Sequence, residues 1–317
     1  MNKAVLEQGD VKQESQLVIS PRQSGCIIAN TLIGVAVLTL PRVVTHQAEE
    51  AGWLSLLLGA LFSTIILFIL TNLSFRFPQQ TILEYTTALF SPKQKGKFRW
   101  GYLVSIPIIF IFIIYLLFTA ALVKRTFGEV VVTAVLTNTP LEVIILTMMA
   151  TVFFMTIHEV DALARVNEIL LPIVVVPILL IALSSFQNFN WEFFLPVWPM
   201  ISLRDFFLGV LLTTYAYYGF ELYFVFSAYT ATTKKTMYFN LLGMLIPTLI
   251  YLLVVIACIG VFGKEELDIL MWPTLELVKT TQIQGVILER MESAFLGVWV
   301  AAVFTTAANF HFAAIIL

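Results

Sequence analysis

Long apolar runs decide what this sequence can become. A helix that crosses a bilayer needs about 20 mostly apolar residues, and runs of that kind recur from about residue 24 to the last residue of the chain. Inside lipid an unpaired backbone N–H or C=O costs several kcal/mol, so only helices and closed barrels can span, and these runs lack the alternation of barrel strands. The runs cover Ser24 to Val44, Trp53 to Phe75, Gly101 to Val123, Leu141 to Ile157, Ile169 to Phe186, Phe206 to Phe226, Met237 to Phe262 and Ser293 to Leu317. The expected fold is therefore an all-α polytopic membrane protein of about eight spans. Pro172 and Pro177 are expected to bend the fifth.

Composition agrees: 59% of the 317 residues are hydrophobic and 12% charged, where a soluble domain carries about 25% charged residues. The net charge of -2 gives no basic excess, and without a Lys/Arg stripe interleaved with aromatics a nucleic-acid partner is not expected. Cys26 and Cys258 fall in apolar runs and read as buried thiols without a chemical role. Residues 1–19 are polar and carry no secretory h-region, so they form an N-terminal tail, with residues 20–317 as a single transmembrane domain. The last run ends on Ile316-Leu317 without a polar flank, which reads as a truncated chain.

Lys and Arg resist transfer across the membrane, so the side holding more of them faces the cytoplasm. Of the 18, eleven lie on the side of the N-terminus, among them Arg22, Arg76, Lys93, Lys95, Lys97, Arg99, Arg165, Lys234 and Lys235, and seven on the other. The N-terminus is placed in the cytoplasm. The segment Gln79 to Phe90 is amphipathic and reads either as an interfacial helix or as a solvated loop helix. Trp53, Trp191, Trp198 and Trp272 stand where an aromatic belt is expected on the outer side.

Two spans carry signs of interruption. The first places Gly34 mid-membrane, followed by Val35 and Ala36, with Pro41 near its end; the sixth reads Tyr215-Ala216-Tyr217-Tyr218-Gly219-Phe220-Glu221. Glycine weakens a helix interior by roughly 1 kcal/mol relative to alanine, and an unwound stretch frees backbone groups that must line a cavity. Breaks in the first and sixth spans are what a five-helix inverted repeat of the LeuT type produces. Each glycine taken singly could instead serve close helix packing.

Ionisable groups within spans are costly and face the bundle interior or water. Glu221 is the most deeply placed and is the first candidate for a functional acid. Glu289 and Glu292 open the eighth span on one face; Glu289 reads as part of an interfacial collar, and Glu292 as the one that reaches the cavity. Tyr115 and Thr119 share a face of the third span. His158-Glu159-Val160-Asp161-Ala162 lacks the second histidine of the metalloprotease signature, so no metal site is expected there. Nucleophile-elbow, phosphate-loop and dinucleotide fingerprints do not occur either, so neither an enzyme nor a cofactor is expected.

With these features placed, the sequence resembles the spore germination permease-like family, the B subunits of GerA-type nutrient germinant receptors within the amino acid/polyamine/organocation transporter superfamily. The resemblance rests on Ile19-Ser20-Pro21-Arg22-Gln23 followed by Gly34 to Arg42, on Ala51-Gly52-Trp53, on Arg76-Phe77-Pro78, on Ala164 to Pro172, on Pro273 to Leu277 and on Leu288 to Phe295. Two departures stand out: Gly52 occupies the position where the family usually has Asp, and this chain has eight spans where members carry ten. The resemblance implies a LeuT-like bundle that senses a small nutrient, typically an amino acid, in the inner membrane of a dormant spore, beside an A-type subunit and a lipoprotein C-type subunit. On that reading the nutrient sits between Gly34 and Gly219, with Phe220, Tyr217 and Tyr115 shaping its pocket and Glu221 meeting its ammonium group. An amino acid permease is the rival reading.

Overall fold

The computed structural model describes residues 19–90, 100–195, 202–280 and 291–317. The N-terminal tail before Ile19, the cations Lys93 to Arg99, Trp198, Glu289 and Arg290 lie outside the described residues. Within them the fold is almost wholly helical. Among the described residues, twelve α-helices run in the order α1 (Pro21–Ile33), α2 (Ala36–Ala48), α3 (Gly52–Arg76), α4 (Ile82–Phe90), α5 (Trp100–Ala134), α6 (Leu141–Thr156), α7 (Val160–Ser185), α8 (Leu203–Thr213), α9 (Tyr223–Phe226), α10 (Lys234–Ile269), α11 (Pro273–Thr280) and α12 (Met291–Ile316), joined in places by short 3₁₀ turns.

Five helical stretches among the described residues are long and apolar enough to cross a membrane: Ala36–Arg76, Gly101–Ala134, Val160–Asn188, Lys234–Ile269 and Ser293–Ile316; α6 is apolar but shorter. The chain is thus a polytopic helical membrane protein. The remaining two expected spans, the first and the sixth, are the interrupted ones, each divided between shorter helices. Pro172 and Pro177 sit inside an uninterrupted α7, which begins at Val160, nine residues before the apolar run itself. The amphipathic segment after α3 is helical as α4.

Residue character sorts the helices into centre and rim. Every residue of α1 from Ser24 to Ile33 is buried, the pattern of a helix with no solvent or lipid face. It packs against α7, α10 and α12. By contrast α3 and α5 expose large apolar side chains such as Phe62, Ile69, Phe110, Ile111 and Phe118. A continuous apolar surface of that extent suits contact with lipid rather than water.

The start of α1 is fixed by a capping box. The Ser20 hydroxyl accepts from the Gln23 amide at 3.3 Å, the Gln23 side chain accepts from the Ser20 amide at 3.0 Å, and Pro21 fills the first helical position. Immediately before it, the Ile19 amide donates to the Tyr229 carbonyl at 3.0 Å and the Ile19 carbonyl accepts from the Ala231 amide at 3.4 Å. This isolated parallel bridge joins the entrance of α1 to the segment that leaves the interrupted sixth span.

Candidate functional site

The first break lies between Ile33 and Ala36. Gly34 closes α1 with φ -18° and ψ -112°, away from helical values. Interrupting a helix frees carbonyls at the end of one half and amides at the start of the next. The carbonyls here are met by side chains from other helices. Trp299 of α12 donates its indole N–H to the Gly34 carbonyl at 3.0 Å, and Tyr251 of α10 donates its hydroxyl to that of Leu32. The Thr306 hydroxyl lies 3.0 and 3.1 Å from the carbonyls of Asn30 and Thr31. At the start of α2 the position is different: Val35 stands at the N-cap, and among the described residues no side chain caps the first turn. The positive end of α2 therefore faces the break without a side-chain acceptor.

The second break runs from Thr214 to Leu222. The helix α8 passes into a 3₁₀ turn at Thr214–Tyr217, the chain extends at Tyr218, and Gly219 adopts φ 126° before a second 3₁₀ turn at Phe220–Leu222. L-residues rarely adopt that φ, and a Cβ at Gly219 would also strike the Thr31 side chain of α1. Here the freed amide is capped from within. Glu221 accepts from the Gly219 amide at 2.8 Å through one carboxylate oxygen and from the Tyr115 hydroxyl of α5 at 2.5 Å through the other.

The two breaks face one another. Besides the contact of Gly219 with Thr31, the Tyr251 hydroxyl that reaches Leu32 also lies 3.3 Å from the Ala216 carbonyl, and Thr39 and Tyr215 share a 2.9 Å hydrogen bond. Tyr217 is fully buried, its ring edge-on to Tyr251 at 5.8 Å. The space between the breaks is thus filled by tyrosine and threonine side chains. On the α2 and α8 side a cavity of about 380 Å³, lined by Thr39, Arg42, His46 and Leu212 among others, ends at Thr39, one turn from Ala36.

Of the residues singled out in the sequence, Gly34, Val35, Ala36, Tyr217, Gly219 and Phe220 gather at the two breaks, and Tyr115 and Glu221 join them as a hydrogen-bonded pair. Glu292 opens α12 two turns before Trp299, whose indole reaches Gly34; its side chain lies outside the described residues.

Sequence reasoning missed Tyr251, Trp299 and Thr306, and with them a buried amide chain. Asn30 donates to the Asn167 carbonyl at 2.6 Å, Asn167 donates to Asn309 at 2.8 Å, and Asn309 donates to the Thr31 hydroxyl at 2.8 Å. All three asparagines are fully buried. They tie α1 to α7 and α12 beside the first break. An asparagine in an apolar run was the available signal, because a buried amide persists only where partners satisfy it.

Charge pairs stand at opposite ends of the first span. Arg22 meets Glu168 at 3.1 Å, supported by Gln23 at 3.1 Å, and Lys264 meets Glu49 at 2.5 Å.

Residues 18–317 match a family described as spore germination protein. The sequence is 32% identical over 293 residues to the spore germination protein YndE of Bacillus subtilis (strain 168), covering 91% of this chain and 77% of that protein. It is 26% identical over 297 residues to the spore germination protein A2 of the same organism, covering 93% and 78%. With the spore germination protein GerLB of Bacillus cereus it shares 26% identity over 296 residues, covering 92% and 76%.

Proposed function

The chain belongs to the spore germination protein family, and from that premise we propose that it is the membrane subunit of a nutrient germinant receptor, binding a small amino-acid-like germinant between its two helix breaks. Its fold on this reading is a LeuT-like inverted repeat with about eight spans and the N-terminus in the cytoplasm. It works in the inner membrane of the spore with A-type and lipoprotein C-type partners.

The observation that carries the reading is the unequal capping of the two breaks. At Gly219 a carboxylate of the chain itself, Glu221, already occupies the freed amide. At α2 the equivalent positive end has no side-chain cap among the described residues. A free amino acid supplies what is lacking there: its carboxylate takes the α2 terminus, as anions do at helix N-termini. Its ammonium group is then within the span of the Glu221–Tyr115 pair, and Tyr217 and Phe220 wall its side chain. Because Tyr217 and Tyr251 fill the intervening space, binding is coupled to their displacement, with entry from the cavity that ends at Thr39.

Substituting Glu221→Gln tests the proposal. An amide oxygen still accepts from Gly219, so the break keeps its cap while the negative charge is lost. The expected result is normal insertion with loss of the germinant response; an unchanged dose response removes Glu221 from the site. The charge pairs at both ends of the first span are also the closures a permease requires, and saturable uptake of labelled amino acid into vesicles holding the purified chain alone would favour that function.

A further inference from the structure

A slot of about 380 Å³ lies between α1, α7 and α10, away from the breaks. Its floor is α1 at Gly25 and Cys26, and its walls are Leu171 and Val175 of α7 and Phe239 and Ile246 of α10. Pro172 and Val176, both on the outer side, border it, so the slot opens sideways between the helices.

One end is charged and the rest is apolar. Ser24 bonds to Asn240, and Leu32 accepts from Tyr251, so α1 and α10 run side by side in the same direction. Lys235, one turn before Phe239 on the same helical face, therefore falls at the Arg22 end. Lys235 is exposed, and the Arg22 side chain is 68% exposed although it also meets Glu168. From Glu168 the wall continues through Leu171 and Val175 at helical spacing. The arrangement suits an amphiphile: Arg22 and Glu168 line the charged end, Lys235 stands at that same end one turn before Phe239, and the rest of the lining is apolar.

We propose that this slot holds an acyl chain of an anionic phospholipid, from the leaflet at the N-terminal end of α1, with the headgroup phosphate on Arg22 and Lys235. Basic pockets between membrane helices select anionic headgroups, and the buried methylenes add to the hold. The phosphate competes with Glu168 for Arg22, so occupancy bears on the tie between α1 and α7.

The test uses the full chain purified in detergent, without nutrient, so that its outcome is independent of the germinant reading. Native mass spectrometry compares retention of palmitoyl-oleoyl phosphatidylglycerol with phosphatidylcholine of the same chains, and glycerol phosphate serves as a chain-free competitor. One phosphatidylglycerol per chain is expected, not displaced by glycerol phosphate, with its advantage over phosphatidylcholine falling about five-fold in Lys235→Gln. Val175→Trp, which fills the channel, is expected to end retention of either lipid. Equal retention of the two lipids, displacement by glycerol phosphate, or full retention in a folded Val175→Trp chain would each overturn the proposal. Should Val175→Trp fail to fold, Lys235→Gln, a change at an exposed side chain, still decides: an undiminished preference for phosphatidylglycerol overturns it.

Discussion

Tyr115 donates its hydroxyl to Glu221 at 2.5 Å across 106 residues of sequence, and so fastens a helix of the bundle's rim to the cap of the second break. Hydrogen bonds to charged groups are worth roughly 1.5–3 kcal/mol. Tyr115→Phe is expected to lower stability by about that amount, read from thermal unfolding in detergent. Glu221→Gln made in that background should cost less than in the parent chain, because contacting residues couple. Strictly additive losses would show that the pair does not act as one.

The two glycines at the breaks should respond differently to a second substitution. At Gly219 the backbone itself resists a side chain, so Gly219→Ala is expected to cost about 1–3 kcal/mol whether or not Thr31 is also changed to alanine. At Gly34 the obstacle is the Thr306 side chain: its hydroxyl oxygen comes nearest, and its Cβ and Cγ2 lie 2.9 and 3.0 Å from the point a Cβ would occupy. Gly34→Ala should therefore be milder in a Thr306→Ala background. The double substitutions, compared by thermal unfolding, distinguish strain from crowding.

Tyr251→Phe removes a hydroxyl that serves carbonyls of both breaks. A buried acceptor left without its donor costs about 1–3 kcal/mol. Amide hydrogen exchange is expected to speed up together around residues 32–36 and 214–222, and acceleration at one break alone would argue against the shared tie.

Asn167→Leu leaves Asn30 its bond to the main-chain carbonyl of residue 167 but takes the donor from the Asn309 side-chain oxygen, with an expected loss of about 1–3 kcal/mol for the acceptor left unsatisfied. Asn309→Leu should add little once Asn167 is gone, because both act in one chain of hydrogen bonds. Unfolding midpoints of the two single variants and the double variant give the comparison.

What could be read from the sequence was local. Gly34 and Gly219 announce their breaks because glycine in an apolar run weakens a helix wherever it stands, and Glu221 announces itself by the cost of a carboxylate there. The role of Tyr251 was not legible: it depends on carbonyls 219 and 35 residues away, and a tyrosine among apolar neighbours looks like packing. Pro172 and Pro177 lie within α7, which continues as helix through both.

Ile19 stands at the entrance of the first span, well before Gly34, and still has a bearing on the break. The residue precedes the first helix by a single position beyond Ser20, and its main chain grips Tyr229 and Ala231 on the strand of backbone leaving the sixth span. The two interrupted spans are therefore geared at their common end. Neither can swing or slide there without dragging the other or shearing two backbone hydrogen bonds.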